Sequence, residues 1–143
     1  MINFILFQNR MGKTRLAKFY VPLDDEGREE VKRSVHALLS TRESRLSNFV
    51  TFGNIKLVYR RYAGLFFICG IDEHDNDLAC LELIHLFVEV LDMFFKDVCE
   101  LDLVFNFHKV YMIIDEMITG GELQEVSRPV ILERLQKLDI TSK

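Results

Sequence analysis

Leu65 to Ile71 (LFFICGI) carries no charged residue and no alternation of polar and apolar positions. A strand that is apolar on both sides of its pleat has to be covered on both faces. The segment is therefore predicted to be the central strand of a sheet, with helices above and below it. Ile55–Tyr62 (IKLVYRRY) precedes it across a short turn holding Ala63 and Gly64. Lys56 and Arg60 interrupt its apolar residues, so it is expected to lie nearer an edge. The rest of the chain must supply the layers around this hairpin.

Ile2–Phe7 (INFILF) is nearly all apolar and predicts a second central strand. Asn9-Arg10-Met11-Gly12 is a turn signal, with Gly12 free to take a positive φ. Thr14–Val21 is then the hairpin partner. Its basic residues, Arg15 and Lys18, fit a strand with one wet edge. Pro22 ends it, and Asp24-Asp25-Glu26 put negative charge where a helix N-terminus favours it. Val31, Val35, Leu38 and Leu39 recur at helical spacing opposite Lys32, Arg33 and Arg42, an amphipathic helix for one face of the sheet. Phe49–Phe52 is a short strand, and Gly53-Asn54 turns the chain into the organising hairpin. After a polar loop, Asp75 or Asp77 is expected to cap a helix over Leu78–Phe95 that is apolar almost all round and hence buried. A further helix is expected over Leu101–Ile118, with Leu101, Val104, Phe105, His108, Tyr111 and Met112 on one stripe and Gly120-Gly121 as its stop. Ser127 is expected to cap a last helix through Leu138, with Pro129 in its first turn. The order β-β-α-β-β-β-α-α-α predicts an α+β, three-layered fold whose sheet is five-stranded and mostly antiparallel.

The 143 residues, 49% hydrophobic and 28% charged, make a single domain, residues 1–143, with a sizeable core. A net charge of −4 argues against general nucleic-acid binding. The charge is uneven: residues 1–61 hold twelve Lys and Arg against six Asp and Glu, whereas residues 62–143 hold six against sixteen. That asymmetry implies a basic patch on an acidic body. Cys69, Cys80 and Cys99 lie in apolar surroundings with no CxxC pair, as expected of reduced buried thiols in a cytosolic protein. No secretory leader, bilayer-spanning run, myristoylation site or prenylation signal is read, so membrane contact is expected only through a partner.

Signatures of catalysis are missing. Gly12-Lys13-Thr14 resembles the end of a phosphate-binding loop, but Phe7 stands where the first Gly is needed, and the setting is a hairpin rather than a helix start. Asp72, Asp75 and Asp77 lack the central Gly and final Glu of a calcium loop. His36, His74, His85 and His108 have no ligand spacing. There is no nucleophile elbow and no Cys–His pairing signature. No enzymatic activity, metal or cofactor is implied.

Four segments, FQNRMGKTRLAKFY (7–20), KLVYRRYAGLFF (56–67), ELIHLFVEVLD (82–92) and CELDLVFNFHKVYMIIDEM (99–117), resemble the small (sigma) subunits of clathrin adaptor complexes, in the right order and over essentially the whole chain. Among sigma subunits, QNR-GKTRLAK, NFV (48–50), RRYAGL and FNFHKVY are most similar to that of adaptor complex 2, the plasma-membrane endocytic adaptor. The tail GGELQEVSRPVILERLQKLD is nearer to that of the Golgi/endosomal complex 1. The resemblance implies a longin-like fold and a non-catalytic subunit of a heterotetramer, held by a large alpha-type chain beside a medium and a second large subunit. It also implies binding, with the large chain, of acidic dileucine signals in cargo tails at the cytoplasmic face of coated pits.

By that resemblance the leucine pair is taken by Ala63, Leu65, Val88, Val98, Leu101 and Leu103, and the upstream acid by Arg15, whose charge is permanent and whose donors fork. Asp97 stands where the family usually has an uncharged polar residue, and its carboxylate would repel an acidic motif. Read without the resemblance, Val88, Val98, Leu101 and Leu103 are core positions, Ala63 is a turn residue, and Arg15 is a solvated charge. A purely structural subunit is the rival reading, since the helices over 78–95 and 101–118 carry more apolar surface than one small sheet hides. A longin-type regulator of membrane fusion would need a following coiled coil, which the sequence does not supply.

Overall fold

The computed structural model describes residues 1–41, 48–62, 64–95, 100–123 and 133, leaving aside the side chains of Phe94, Asp102, Leu103, Phe107 and Leu123. Five strands form the main sheet: β1 (Ile2–Asn9), β2 (Thr14–Phe19), β3 (Phe49–Phe52), β4 (Ile55–Tyr62) and β5 (Leu65–Asp72). Their spatial order is β2-β1-β5-β4-β3, with every neighbouring pair antiparallel. The uncharged strand β5 is the middle one, and it is buried from Leu65 through Ile71.

Both faces of β5 are covered, as its composition demands. Leu65, Phe67, Cys69 and Ile71 join one apolar cluster, whereas Phe66 and Ile68 join another. The second cluster lies under α1 (Asp25–Ser40), whose Val35 and Leu39 are buried against Phe4, Leu6, Leu57 and Tyr59. The first is closed by α2 (Asp77–Phe95) and α4 (Phe107–Met117) through Ile84, Phe87, Leu91, Val110, Ile113 and Met117. The fold is α+β and longin-like, with helices on both sides of the sheet.

Local chemistry sets the helix starts. Asp24 has extended backbone, and its side chain accepts from Gly27 N at 2.7 Å, which caps α1, while Asp25 and Glu26 occupy the first turn. At α2 the cap is neither Asp75 nor Asp77: Asn76 Oδ1 accepts from Ala79 N at 3.1 Å. Asp75 turns the other way and accepts from the amino group of Met1. Nor is α2 buried all round, since Leu78 is 64% and Met93 54% exposed.

The single helix expected over Leu101–Ile118 is two. α3 (Glu100–Phe105) and α4 are separated at Asn106, whose φ of −120° and ψ of 32° leave the helical basin. The break frees α4 to turn its own stripe inward. Val110, Ile113, Ile114 and Met117 are buried, whereas Leu101 is 60% and Phe105 78% exposed. Gly120-Gly121 does not simply stop a helix. With φ of 58° and 86°, the two glycines make the turn of a small ribbon, β6 (Ile118–Thr119) against β7 (Glu122–Leu123), where Asn-Gly or Gly-Gly pairs are favoured because both residues need positive φ. Ile2 N donates to Gly121 O at 2.8 Å and fastens the ribbon to β1. The last expected helix, from Ser127 to Leu138, falls outside the described residues apart from Glu133, which is helical.

Tyr20 offers a test of this core. Its hydroxyl is buried and has no hydrogen-bond partner among the described residues, and burial together with Asp115 raises its pKa. An unmet buried hydroxyl costs about 1–3 kcal/mol. Tyr20→Phe is therefore expected to raise stability by about 1 kcal/mol in urea unfolding; a loss of stability would mean that the hydroxyl is satisfied.

Candidate functional site

Arg15 and Leu65, two of the residues singled out in the sequence, lie at one end of the sheet. The β1–β2 hairpin ends there, β5 begins there, and α3 starts beside it. The hairpin turn is tightly held. Asn9 Oδ1 accepts from Met11 N and Lys13 N, both at 3.0 Å, and Gly12 takes φ 84°. A Cβ on Gly12 would stand 2.5 Å from the His36 ring, so the turn is pressed onto α1. Gln8, 1% exposed, completes the clamp by donating to Lys32 O at 2.9 Å.

Arg15 projects from β2 to α3. Its Nε donates to Glu100 Oε1 at 2.6 Å, and Asn9 Nδ2 donates to the same oxygen at 3.1 Å. The two side chains are 24% and 30% exposed. The bonds from Arg15 and Asn9 hold the Glu100 carboxyl below its usual pKa. The ion pair is therefore present above the ordinary glutamate range, and it is lost only as pH falls through that lowered value. Leu101 follows Glu100 directly and is largely exposed, so the residue that Arg15 of β2 grips and an exposed leucine are neighbours in the first turn of α3.

The other expected site residues fall in different places. Leu65 is 2% and Val88 3% exposed, both inside the cluster between the sheet and α2. In the isolated chain neither offers surface to a ligand. Leu65 pairs in register with Asn9 on one side and Tyr62 on the other, so it sits under the same hairpin turn. Leu103 lies on α3 with its side chain outside the description, and Ala63, Asp97 and Val98 lie outside the described residues. Tyr62 anchors this end by donating its hydroxyl to Asp92 of α2.

Two features were not foreseen. Glu100 and Asn9 complete the surroundings of Arg15; the Arg15–Glu100 contact spans 85 residues, which no spacing pattern reveals. Arg10 and Arg61, with Tyr62, Gly64 and Leu65, line an adjoining cleft of about 160 Å³, so the basic patch implied by the charge asymmetry reaches this end of the sheet. Between the sheet and the helices α2 and α4 there is an apolar void of about 20 Å³, lined by Phe7, Phe67, Phe87 and Ile114 among others. It holds about one water at most and is too small for a leucine side chain.

No group of His, Cys, Asp and Glu suited to a metal occurs among the described residues. Cys69 and Cys80 are buried free thiols; a hydrogen bond that the Cys69 thiol donates to Cys80, together with burial, raises the Cys69 pKa well above the usual value, which keeps it neutral. No described helix is long and apolar enough to cross a membrane.

The family model for the clathrin adaptor complex small chain matches residues 1–142. The AP-2 complex subunit sigma of Neurospora crassa is 59% identical over 140 residues, covering 97% of this chain and 98% of the relative. That of Dictyostelium discoideum is 57% identical over 139 residues, with the same coverage. The human AP-1 complex subunit sigma-3 is 46% identical over 140 residues, covering 98% and 91%. A chain in a homology model of the full-length AP-3 complex, in a stretched open conformation, superposes with a TM-score of 0.78 at 31% identity and covers 99% of this chain and 95% of that one. The chain belongs to the clathrin adaptor complex small chain family and is most similar to sigma subunits of AP-2.

Proposed function

We propose that this chain is the small subunit of an AP-2-type endocytic adaptor at the cytoplasmic face of the plasma membrane, where it stabilises the heterotetramer and helps to bind acidic dileucine signals in cargo tails. Its direct partner is a large alpha-type chain, with the medium and second large subunits completing the complex. Its role is binding, without catalysis or cofactor. Identity near 59% to AP-2 sigma subunits, against 46% to an AP-1 sigma subunit, supports the choice of complex.

Cargo binding is supported by the reach of Arg15 to Glu100, the residue that directly precedes the exposed Leu101 at the start of α3. A cargo leucine needs apolar surface, and each buried leucine contributes about 1.5–3 kcal/mol. The acid upstream of it needs a cation, and a charge-assisted hydrogen bond contributes about 1.5–3 kcal/mol. Ordering an extended tail offsets much of this, so affinity near micromolar, about −8 kcal/mol, is expected. The family resemblance assigns Ala63, Leu65, Val88, Asp97, Val98 and Leu103 to the same site; Leu65 and Val88 are buried in the isolated chain and would have to be uncovered to take part, and the Asp97 carboxylate would disfavour an acidic tail.

The test is titration of an acidic dileucine peptide onto the reconstituted complex. Arg15→Ser is expected to weaken binding about tenfold, and Leu101→Asp to abolish it by placing a charge where the leucines dock. Leu101 is the better probe than Val88, because an Asp at the buried Val88 would disturb the core. Unchanged affinity in both variants would leave a purely structural subunit, whose deletion dissolves the complex although it binds no cargo.

A further inference from the structure

We infer that Glu100 is a specificity-determining residue of this site: it occupies the cation that the cargo acid would use, and so sets how strongly the site favours acidic tails. The inference rests on the cargo-binding reading above and adds a residue which that reading does not use.

The contact is short and doubly supported. Glu100 Oε1 receives Arg15 Nε at 2.6 Å and Asn9 Nδ2 at 3.1 Å. Asn9 is itself oriented, because its Oδ1 takes the Met11 and Lys13 amides, so its donor faces Glu100 by construction of the turn. Lys13 adds a further positive charge that favours the ionised Glu100. A guanidinium presents two edges to carboxylates. Glu100 holds the Nε edge, which leaves the outer edge of a cation already paired. An incoming carboxylate therefore meets a nearly neutral ion pair, with a like charge a few ångströms away, instead of a bare arginine. At a partly buried position, that repulsion is worth roughly a three- to tenfold change in affinity. Leucine docking is uncharged and is unaffected by it. The selectivity of the site for acidic over neutral tails is thus held below what Arg15 alone would give.

The alternative role, a strut that merely orients Arg15, predicts the opposite sign, and this makes the idea testable. Glu100→Gln keeps an amide oxygen able to accept from Arg15 and Asn9 but removes the charge. Glu100→Ala removes both. The reconstituted complex is titrated with an acidic dileucine peptide and with the same peptide carrying Gln in place of its acid, and thermal melting of each complex verifies assembly. Glu100→Gln is expected to tighten the acidic peptide roughly three- to tenfold and to leave the Gln peptide within about twofold, with a steeper salt dependence for the acidic peptide. Glu100→Ala is expected to change affinity in the same direction. Equal or weaker binding of the acidic peptide by both variants overturns the inference and makes Glu100 a strut or a bystander. Failure of the underlying reading looks different: wild-type complex that binds neither peptide, or that ignores Arg15→Ser.

Discussion

Phe67→Ala is expected to destabilise the chain by about 3–5 kcal/mol, a large part of the margin of a domain this size. Phe67 lies at the middle of β5, is 2% exposed and stands in register with Phe7 across the ladder. Three aromatic rings surround it: Phe7 at 4.4 Å between centroids, Tyr62 at 5.8 Å, and Phe87 of α2 edge-on at 6.0 Å. Each such pair adds about 0.5–1.5 kcal/mol beyond simple burial. The site cannot collapse, because strands pin Phe7 and Tyr62 and the packed helix α2 pins Phe87. Truncation would also enlarge the 20 Å³ void that Phe67 already lines, and cavity cost grows with volume. Urea unfolding should show the full loss as a lower midpoint at unchanged slope. Phe105→Ala is the internal control: that ring is 78% exposed in the isolated chain, and its loss should stay within about 0.5 kcal/mol. A loss below about 1.5 kcal/mol at Phe67 would show that its neighbours relax into the gap.

The same strand explains why so much of the architecture was legible beforehand. Apolar residues at consecutive positions of Leu65–Ile71 have only one home, the middle of a sheet covered twice, and this forces helices onto both faces. The breaks in regularity were harder to read, because one residue type serves two geometries. Gly120-Gly121 suits a helix end and a tight ribbon turn alike, since both use positive φ, and only pairing of Ile118 with Leu123 decides between them. Asp75, Asn76 and Asp77 can all cap a helix. Asn76 does so because Asp75 is drawn to the Met1 amino group. Asn106 interrupts a continuous helical pattern without a Pro or Gly to announce it, so in the sequence the stripe from Leu101 to Met112 runs straight through a bend.

The candidate site was legible only in pieces. Arg15, Leu65, Val88 and Leu101 come from four separate elements, and periodicity says nothing about which elements meet. Resemblance to adaptor small subunits singled them out, and the fold brings Arg15 to Glu100, the neighbour of Leu101 in the chain. It could not indicate that Leu65 and Val88 would be closed over in the isolated chain, nor that Arg15 would already hold a carboxylate. Both facts depend on packing between α2, α3 and the hairpin, which is tertiary information.

Gly70→Val is expected to cost about 3 kcal/mol, near the upper end of ordinary overpacking, although valine is intrinsically far better suited to a strand than glycine. The reason is space and not backbone. Gly70 is absent from the chain's positive-φ glycines, but a Cβ there would lie 2.4 Å from Cε1 and Cζ of Phe4, its partner on β1. Phe4 has no room to retreat. It is 3% exposed, packs within the cluster under α1, and meets the tilted ring of Phe19 at 5.9 Å between centroids. A glycine in a central strand weakens it by about 0.5–1 kcal/mol, and the ring that covers it returns part of that loss. The sign of the substitution is therefore diagnostic: in open space valine would stabilise, whereas beneath Phe4 it must displace a packed ring. Phe4→Leu should recover at least 1 kcal/mol in the Gly70→Val background while costing stability in the native one, a coupling that a double-mutant cycle reads directly. Strictly additive losses would mean that the ring and the glycine are neighbours by register alone and that another contact makes residue 70 intolerant.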